Sequence, residues 1–282
     1  MFKKTSLTAL LALILFPAFA QNSLLYKVSG KGLRHPGYLY GTIHLVCEGD
    51  LYLSPALKDA LKQADSVYFE VDVNNVNQEE MMEGMMGGEG YDMQQHFRPG
   101  DFERLKEYME DSLGMDLDEL RPMKPMVLQV ILGMYSLGCT NPSSYETALN
   151  QLAAEHKKTV KGLETAADQI AIFRSVPDST QVNDLMELLN EPGKLKNSFN
   201  KIVAAYKRQD LDALYALRKE SPESPAMEEM LLSKRNRKWV PVIEKAMRHG
   251  RILVACGAMH LPGEEGLIAL LKAQGYTVTP VL

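Results

Sequence analysis

Residues 38–73 read YLYGTIHLVCEGDLYLSPALKDALKQADSVYFEVDV, and this stretch decides the fold class. The apolar run over residues 38–43 predicts a short strand. Ser54-Pro55 opens a helix over residues 56–64, because serine caps a first helical turn and proline fits its first position. Residues 66–73 alternate apolar and polar side chains, which predicts a second strand. A strand, a helix and a strand in this order are typical of a βαβ unit in a parallel sheet.

The two ends of the chain predict further strands, and the middle predicts helices. Apolar positions spaced by three or four residues indicate helices over residues 102–112, 125–137, 144–157, 165–174, 180–189, 194–219 and 225–248. Strands are predicted over residues 24–28, 251–256 and 276–281, a helix over residues 264–273, and residues 159–163 are compatible with a strand. The prediction is an α/β (α+β) fold. Its central, mostly parallel sheet is built from N- and C-terminal segments, with a large helical insertion at about residues 100–248, in a single domain of residues 21–282.

Residues 78–95 combine five methionines with four glycines. Methionines spaced by three and four residues are compatible with one face of a helix. So much glycine is equally compatible with a mobile flap over a binding cleft, since methionine surfaces repack around varied apolar ligands. The sequence leaves both interpretations open.

The first twenty residues predict a signal peptide. Lys3 and Lys4 precede an apolar run over residues 7–16, and Ala18-Phe19-Ala20 is a suitable cleavage site. The run is short for a membrane span, and no cysteine follows the cleavage site to carry a lipid. We therefore expect export, to the periplasm or the exterior, without a stable membrane anchor.

The net charge and the cysteine content indicate which partners and which cellular compartment to expect. The net charge is −5 without a basic cluster, which argues against a nucleic-acid partner. In an oxidising compartment, three cysteines favour one disulfide and one free thiol. Cys256 lies within a predicted buried strand, whereas Cys47 and Cys139 lie beside turns. The prediction is a Cys47–Cys139 disulfide.

Two histidines follow predicted strands in the same Gly-x-x-His arrangement, Gly41 to His44 and Gly257 to His260. Ligands of a parallel sheet bind beyond the carboxyl ends of its strands, where glycine allows close approach of the backbone. An imidazole at that position can bind a metal or move a proton. A third match ends at His35, but no strand precedes it. The alternative role of such a histidine is structural hydrogen bonding.

Glu70 lies within the predicted strand over residues 66–73, with Asp72 on the same face. A carboxylate there is costly to bury unless it is paired or bound to a metal. Two adjacent like charges raise one pKa or attract a cation. Two histidines and a carboxylate form a common ligand set for hydrolytic metals. The alternative is a solvated or salt-bridged face.

Several motifs occur together in one order along the chain. They are Gly41-Thr42-Ile43-His44-Leu45, Glu70, Gly162-Leu163-Glu164-Thr165 followed by Gln169, Arg235-Asn236, and Gly257-Ala258-Met259-His260-Leu261. With this ordered set the chain resembles the TraB/GumN family, whose relatives include PrgY, the Tiki proteases, ChaN-like proteins and the erythromycin esterases. The resemblance covers residues 24–282.

The resemblance implies a Tiki-like, metal-dependent peptidase using Mn or Co, with Zn as a third option. His44, Glu70 and His260 would bind the metal, and Glu70 or another acid would accept a proton from the attacking water. Arg235 and Asn236 would stabilise an oxyanion or orient a peptide or small-molecule substrate, unless they belong to an exposed basic helix face. We expect Asp72, Glu164 and Gln169 to lie behind these residues and to hold them in place.

Relatives within the same family imply other functions. PrgY-like members suggest a protein that sequesters a peptide or ligand without turnover, and ChaN-like members bind haem. Erythromycin-esterase-like members suggest a metal-independent hydrolase with His44 as the base. Fold alone does not decide among these functions, so the decision depends on the geometry and chemistry of the site.

Overall fold

The structure is a computed structural model that describes residues 22–220 and 225–282. The predicted signal peptide, residues 1–20, lies outside the described residues. The strands are β1 Leu25–Ser29, β2 Gly37–Thr42, β3 Val46–Cys47, β4 Ser66–Val71, β5 Pro142–Ser143, β6 Thr159–Glu164, β7 Ile252–Gly257 and β8 Thr277–Pro280. The helices are α1 Pro55–Gln63, α2 Gln78–Met85, α3 Asp101–Leu113, α4 Pro125–Ser136, α5 Tyr145–Glu155, α6 Ala166–Ser175, α7 Asp178–Asn190, α8 Pro192–Lys207, α9 Leu211–Glu220, α10 Pro225–Glu228, α11 Lys234–His249 and α12 Leu267–Ala273.

The central sheet has six strands in the order β6-β4-β7-β2-β1-β8. Neighbouring strands from β6 to β2 run parallel, and β1 is antiparallel to both β2 and β8. The predicted α/β fold with a mostly parallel sheet is therefore confirmed. Two features go beyond the prediction. Strand β6 comes from within the helical insertion, and the C-terminal strand β7 separates the two strands of the predicted βαβ unit.

The main apolar core lies around β7, all of whose residues are buried. A strand covered on both faces is continuously apolar, which explains why residues 252–256 show no polar alternation. Helices α1 and α11 pack against β7, and Trp239 of α11 is fully buried. The end of β7 is therefore held by a well-packed apolar core.

A second apolar cluster lies in and just before the helical insertion. Buried side chains of three α-helices and two short 3-10 helices form it: Met93, Phe102, Leu105, Met109, Leu117, Leu128, Leu132 and Leu185. In the methionine-rich segment the helical interpretation holds for α2, which begins after its cap Asn77. The glycine-rich residues that follow form turns before Met93 enters the second cluster. Within the described ranges, no helix combines the length and apolarity needed to cross a membrane.

Three predicted elements differ from the structure in ways that matter below. The helix predicted over residues 194–219 is two helices, because Gln209 adopts a φ of 56° and Asp210 caps α9. The helix predicted over residues 225–248 contains a π-helical turn, Glu229–Ser233. The strand predicted over residues 66–73 ends at Val71, so Asp72 lies in a turn.

A small clamp joins the loop after β2 to the insertion. Strand β3 pairs antiparallel with β5, and a disulfide links Cys47 to Cys139 with a Cα–Cα distance of 5.9 Å. The predicted disulfide is therefore confirmed, with Cys256 as the buried free thiol. A disulfide is typical of an oxidising compartment.

Candidate active site

The candidate site lies where the parallel strands end. His44 follows β2, Glu70 is the penultimate residue of β4, and Glu164 is the last residue of β6. His260 ends a short 3-10 turn directly after β7. Because β7 lies between β4 and β2, His260 is placed between the strands that carry Glu70 and His44.

The three residues that the sequence predicted as metal ligands converge on one oxygen atom. His44 Nε2 is 3.6 Å from Glu70 Oε1, and His260 Nε2 is 3.7 Å from the same atom. The backbone N–H of Gly257 donates to Glu70 Oε1 at 2.8 Å and fixes the carboxylate. Residues more than two hundred positions apart thus share a single site.

Asn236 fixes the ring of His260. Its Nδ2 donates to the carbonyl oxygens of His260, at 3.3 Å, and Glu265, at 2.8 Å, so its Oδ1 faces the ring. That oxygen lies 2.7 Å from His260 Nδ1 and assigns the proton to Nδ1, which leaves a lone pair on Nε2. The oxyanion role predicted for Asn236 does not match this placement, because its amide is fully engaged with the protein.

Glu146 orients the ring of His44 in the same way, a role that sequence reasoning missed. Glu146 lies in the first turn of α5, and its Oε1 is 2.9 Å from His44 Nδ1. The hydroxyl of Thr42 donates to the same oxygen at 2.5 Å. The sequence predicts that a helix begins after Ser144. A helix start does not indicate which residue a glutamate in its first turn contacts.

All five N–H groups of Arg235 point into the protein. They donate to Glu70 Oε2 at 2.5 Å, to Glu164 Oε1 at 3.0 and 2.6 Å, to the Leu231 carbonyl at 3.0 Å, and to His260 Nε2 at 3.2 Å. A guanidinium has five N–H donors in total. Arg235 is therefore not on an exposed basic face, and in this structure it has no donor left for a substrate oxyanion.

The three predicted supporting residues occupy different places. Glu164 accepts from Arg235 and, through Oε2, from the indole of Trp239 at 3.0 Å. Gln169 donates to Glu70 Oε2 at 3.3 Å, so both lie beside the site. Asp72 does not, since its carboxylate accepts from Asn74 and Asn75 within a surface turn. The expectation that Asp72 shares the face of Glu70 is wrong because β4 ends before it.

The electrostatics of the cluster differ sharply between its two histidines. Burial lowers the pKa of His260 to about 3, so its ring is neutral. Desolvation by the surrounding protein also lowers the pKa of His44, although its side chain is largely exposed. Its hydrogen bond to Glu146 and the nearby carboxylates outweigh this effect and raise the pKa to about 9. For Glu70 burial raises the pKa, while the neighbouring histidines, Arg235 and the Gly257 N–H lower it to about 2.

The site keeps an excess of negative charge. Three carboxylates, Glu70, Glu146 and Glu164, face the guanidinium of Arg235 and the imidazole of His44, which is protonated at neutral pH because its pKa is raised to about 9. The side chain of Glu164 is only 1% exposed and that of Glu70 is 10% exposed, so water screens these charges weakly. The site therefore favours cations, whether protons or metal ions.

Two imidazole nitrogens and a carboxylate oxygen are donor types that a divalent cation accepts. Both Nε2 atoms lie within 3.7 Å of Glu70 Oε1. In the part of the chain that the structure describes, no group of three His, Cys, Asp or Glu side chains stands ready to hold a metal ion. The contact of Arg235 with His260 Nε2 uses the lone pair that a metal would need, and a bound cation would have to replace it.

The fold and site together define the class of this protein, an α/β protein with a histidine–carboxylate cluster at the carboxyl edge of its parallel strands. The profile of the TraB/PrgY/gumN family matches residues 24–280, and the chain belongs to this family. The family predicted from the ordered motifs is therefore confirmed.

Relatives and solved structures add little about activity. The chain is 27% identical over 252 residues to the protein YbaP of Shigella flexneri and, equally, to YbaP of Escherichia coli (strain K12), covering 86% of this chain and 89% of each relative. Both relatives are described as uncharacterized. No solved structure matches the chain.

Proposed function

We propose that this protein is a hydrolase, most specifically a peptidase, that activates water at the centre formed by His44, Glu70 and His260. The observation that supports this best is the approach of two imidazole Nε2 atoms to Glu70 Oε1, at 3.6 and 3.7 Å. Each ring is oriented by a separate acceptor behind it, which is how histidines are held in hydrolytic sites. A merely structural histidine needs no such convergence.

A divalent cation is the cofactor that this proposal includes, with Mn or Co favoured by the family resemblance. His44 Nε2, Glu70 Oε1 and His260 Nε2 would hold it, and Arg235 would keep its bonds to the two glutamates while leaving His260. Such a cation, when bound, supplies Lewis acidity and makes water a stronger nucleophile at neutral pH.

The roles proposed for the individual residues follow from how deeply each side chain is buried. Glu70 stays ionised beside Arg235 and can accept a proton from water. The His260 side chain is 4% exposed, whereas that of His44 is 63% exposed. Substrate therefore reaches the centre from the His44 side, with His260 forming its floor.

A metal-independent hydrolase is the second candidate, and the placement of Arg235 favours it. The guanidinium already supplies a fixed positive charge between Glu70 and His260, where a cation would otherwise be required. In that case Glu70 would act as the base, or His44 would do so once it has lost the proton that its raised pKa of about 9 retains at neutral pH. The resemblance to erythromycin-esterase-like relatives implies the role of His44.

The experiment is a cleavage assay after chelation and after reloading with Mn²⁺, Co²⁺ or Zn²⁺, using a fluorogenic peptide library and a small ester. We expect metal-restored peptide cleavage that falls by at least about 100-fold in Glu70→Gln and His260→Ala. The matched control is His35→Ala, since His35 ends the third Gly-x-x-His match but lies in an exposed loop.

The outcomes of this assay separate the candidates. Cleavage that survives chelation, and is still lost in Glu70→Gln, would support the metal-independent hydrolase instead. Tight peptide binding without cleavage under every metal condition would contradict both and favour the sequestering function.

A further inference from the structure

The two histidines of the centre are held by different means. His260 packs against Trp239, with ring centroids 4.4 Å apart, and its side chain is almost fully buried. The side chain of His44 is 63% exposed, so packing alone does not fix the rotation of its ring. An exposed imidazole can turn either nitrogen toward Glu70, and a productive orientation therefore needs a polar contact.

Glu146 makes this contact from a fixed position. Its Oε1 accepts from the Thr42 hydroxyl at 2.5 Å, and Thr42 is the last residue of β2. The N–H of Tyr145 donates to the Ile43 carbonyl at 3.3 Å, so the start of α5 is bonded directly to the segment that carries His44. The carboxylate and the imidazole are thus held on two connected pieces of backbone.

Tyr145 anchors the same turn from the other side. Its ring lies 4.8 Å from that of Tyr206 and 6.1 Å from that of Tyr40, and only 2% of the residue is exposed. Tyr40 belongs to β2, so the first turn of α5 packs on the strand that leads to His44. Glu146 therefore cannot move away from His44 without disturbing this aromatic cluster.

The second oxygen of Glu146 supports a functional role. Oε2 is buried and has no hydrogen-bond partner among the described residues. A purely structural carboxylate is expected to satisfy both oxygens, because a buried unpaired oxygen costs free energy. Here only Oε1 has polar partners, His44 and Thr42, so the polar contacts of this carboxylate are directed to the site.

We propose that Glu146 is a positioning residue that holds His44 Nδ1–H and thereby directs His44 Nε2 toward Glu70. This inference rests on the proposed function for its catalytic consequence, but the orientation of the ring can be measured without any activity. A carboxylate behind a histidine also makes its other nitrogen a stronger base and a better metal ligand.

The test compares Glu146→Ala with Glu146→Gln in the metal-free, full-length mature protein. The first readout is the proton NMR resonance of His44 Nδ1–H in histidine-labelled protein, assigned by its loss in His44→Gln. We expect a downfield, exchange-protected resonance in the wild type that disappears in Glu146→Ala. In Glu146→Gln it should move upfield, because a neutral amide oxygen accepts more weakly than a carboxylate.

The second readout is Mn²⁺ binding to the same metal-free proteins by calorimetry. We expect affinity to fall by about 10- to 100-fold in Glu146→Ala and by less in Glu146→Gln. In a cleavage assay the loss should lie in kcat rather than KM, since Glu146 does not face the substrate. Glu155→Ala removes an exposed carboxylate from the far end of the same helix and is the matched control.

The outcomes distinguish this inference from the proposed function. A His44 Nδ1–H resonance and an Mn²⁺ affinity that both stay unchanged in folded Glu146→Ala would overturn the positioning role. If Glu146→Ala does not fold, an unchanged resonance in Glu146→Gln would overturn it equally. Loss of the resonance in a protein that cleaves nothing would support the positioning role and contradict the hydrolase.

Discussion

The two motif glycines are required for different reasons at the scale of single residues. A Cβ at Gly41 would lie 2.9 Å from the Ala258 Cα and 3.0 Å from a Leu261 methyl, so Gly41 allows β2 to pack on the turn after β7. A Cβ at Gly257 would lie 2.9 Å from His44 Nε2 and 3.3 Å from Glu70 Oε1. Gly257 therefore makes room for the reactive groups themselves.

Alanine substitutions should separate these two roles. Gly257→Ala places a methyl group against His44 and Glu70, and we expect activity to fall by about 100-fold with under about 1 kcal/mol of lost stability, because the ring of His44 can swing outward. Gly41→Ala meets backbone that cannot yield, and we expect it to lose about 1–3 kcal/mol of unfolding free energy. Urea unfolding and the cleavage assay measure both effects. Equal stability losses in the two variants would contradict this assignment.

Residue-scale reasoning from the sequence reached only part of the site. His44, Glu70 and His260 could be predicted because glycine and strand context mark them locally. The part played by Arg235 could not, since an arginine among Lys234, Arg237 and Lys238 has no local sign that it is the inward-facing one. Its three acidic and imidazole partners come from other segments, 25 to 165 residues away.

At the scale of elements, the clamp formed by β3, β5 and the disulfide borders the centre. His44 lies two residues before β3 on one side, and Glu146 lies three residues after β5 on the other. The clamp thus holds the loop after β2 close to the start of α5, where the two side chains meet. The disulfide spans a sequence separation of 92 residues, and closing so long a loop restricts the unfolded chain strongly.

Replacing both bridged cysteines tests the clamp. In Cys47→Ser/Cys139→Ser we expect a loss of about 2–4 kcal/mol of unfolding free energy, with a broadened His44 Nδ1–H resonance because the loop is no longer restrained. Denaturant unfolding and NMR check the two effects. Treating the wild type with a reductant should reproduce the double variant, and the double variant should not respond to reductant. If reductant still lowered the unfolding free energy of the double variant, the effect would not come from the Cys47–Cys139 disulfide.

The π-helical turn before α11 is a second element that serves the site. It ends at Ser233, and Arg235 donates to the carbonyl of Leu231 within it. Turns of this kind are frequent at functional sites because they shift the register of the helix that follows. Here Arg235 and Asn236, adjacent in sequence, contact opposite nitrogens of the same imidazole.

At the scale of the whole molecule, strand order assembles the centre. The C-terminal strand β7 inserts between β4 and β2, and β6 from the insertion adds Glu164 at the outer edge. Four segments distant in sequence therefore deliver charged or ionisable groups to one edge of the sheet. The buried charges make the stability of the molecule depend on pH.

Stability should fall as the solution becomes acidic. His260 has a pKa of about 3 in the folded protein against 6.5 in the unfolded chain, so the unfolded chain binds a proton first. Stability from this group is present above pH 6.5 and declines toward pH 3, by up to about 1.4 kcal/mol per pH unit. Glu70, with a folded pKa of about 2 against 4.5, acts with the same sign at lower pH.

Urea unfolding between pH 4 and pH 7 measures this dependence. The slope of unfolding free energy against pH should be shallower in His260→Gln than in the wild type, because glutamine does not titrate. Parallel slopes would show that His260 is not the neutral, buried group described above. His44 acts in the opposite direction, since its raised pKa gives stability that is lost as pH rises through about 9.

The fold class, the family and the disulfide could all be predicted from the sequence, and so could the three residues that meet at the candidate site. Fold class and disulfide were predicted from local alternation, turn chemistry and cysteine counting. The family was predicted from the resemblance of an ordered set of short motifs, and all of these features can be read along a chain. Tertiary structure alone decided that β7 separates β2 from β4, that Arg235 turns inward, that Asp72 stays outside and that Glu146 stands behind His44. Hydrogen bonds and ion pairs between distant segments leave no periodic trace in a sequence, because they depend on which surfaces meet after the strands have been ordered.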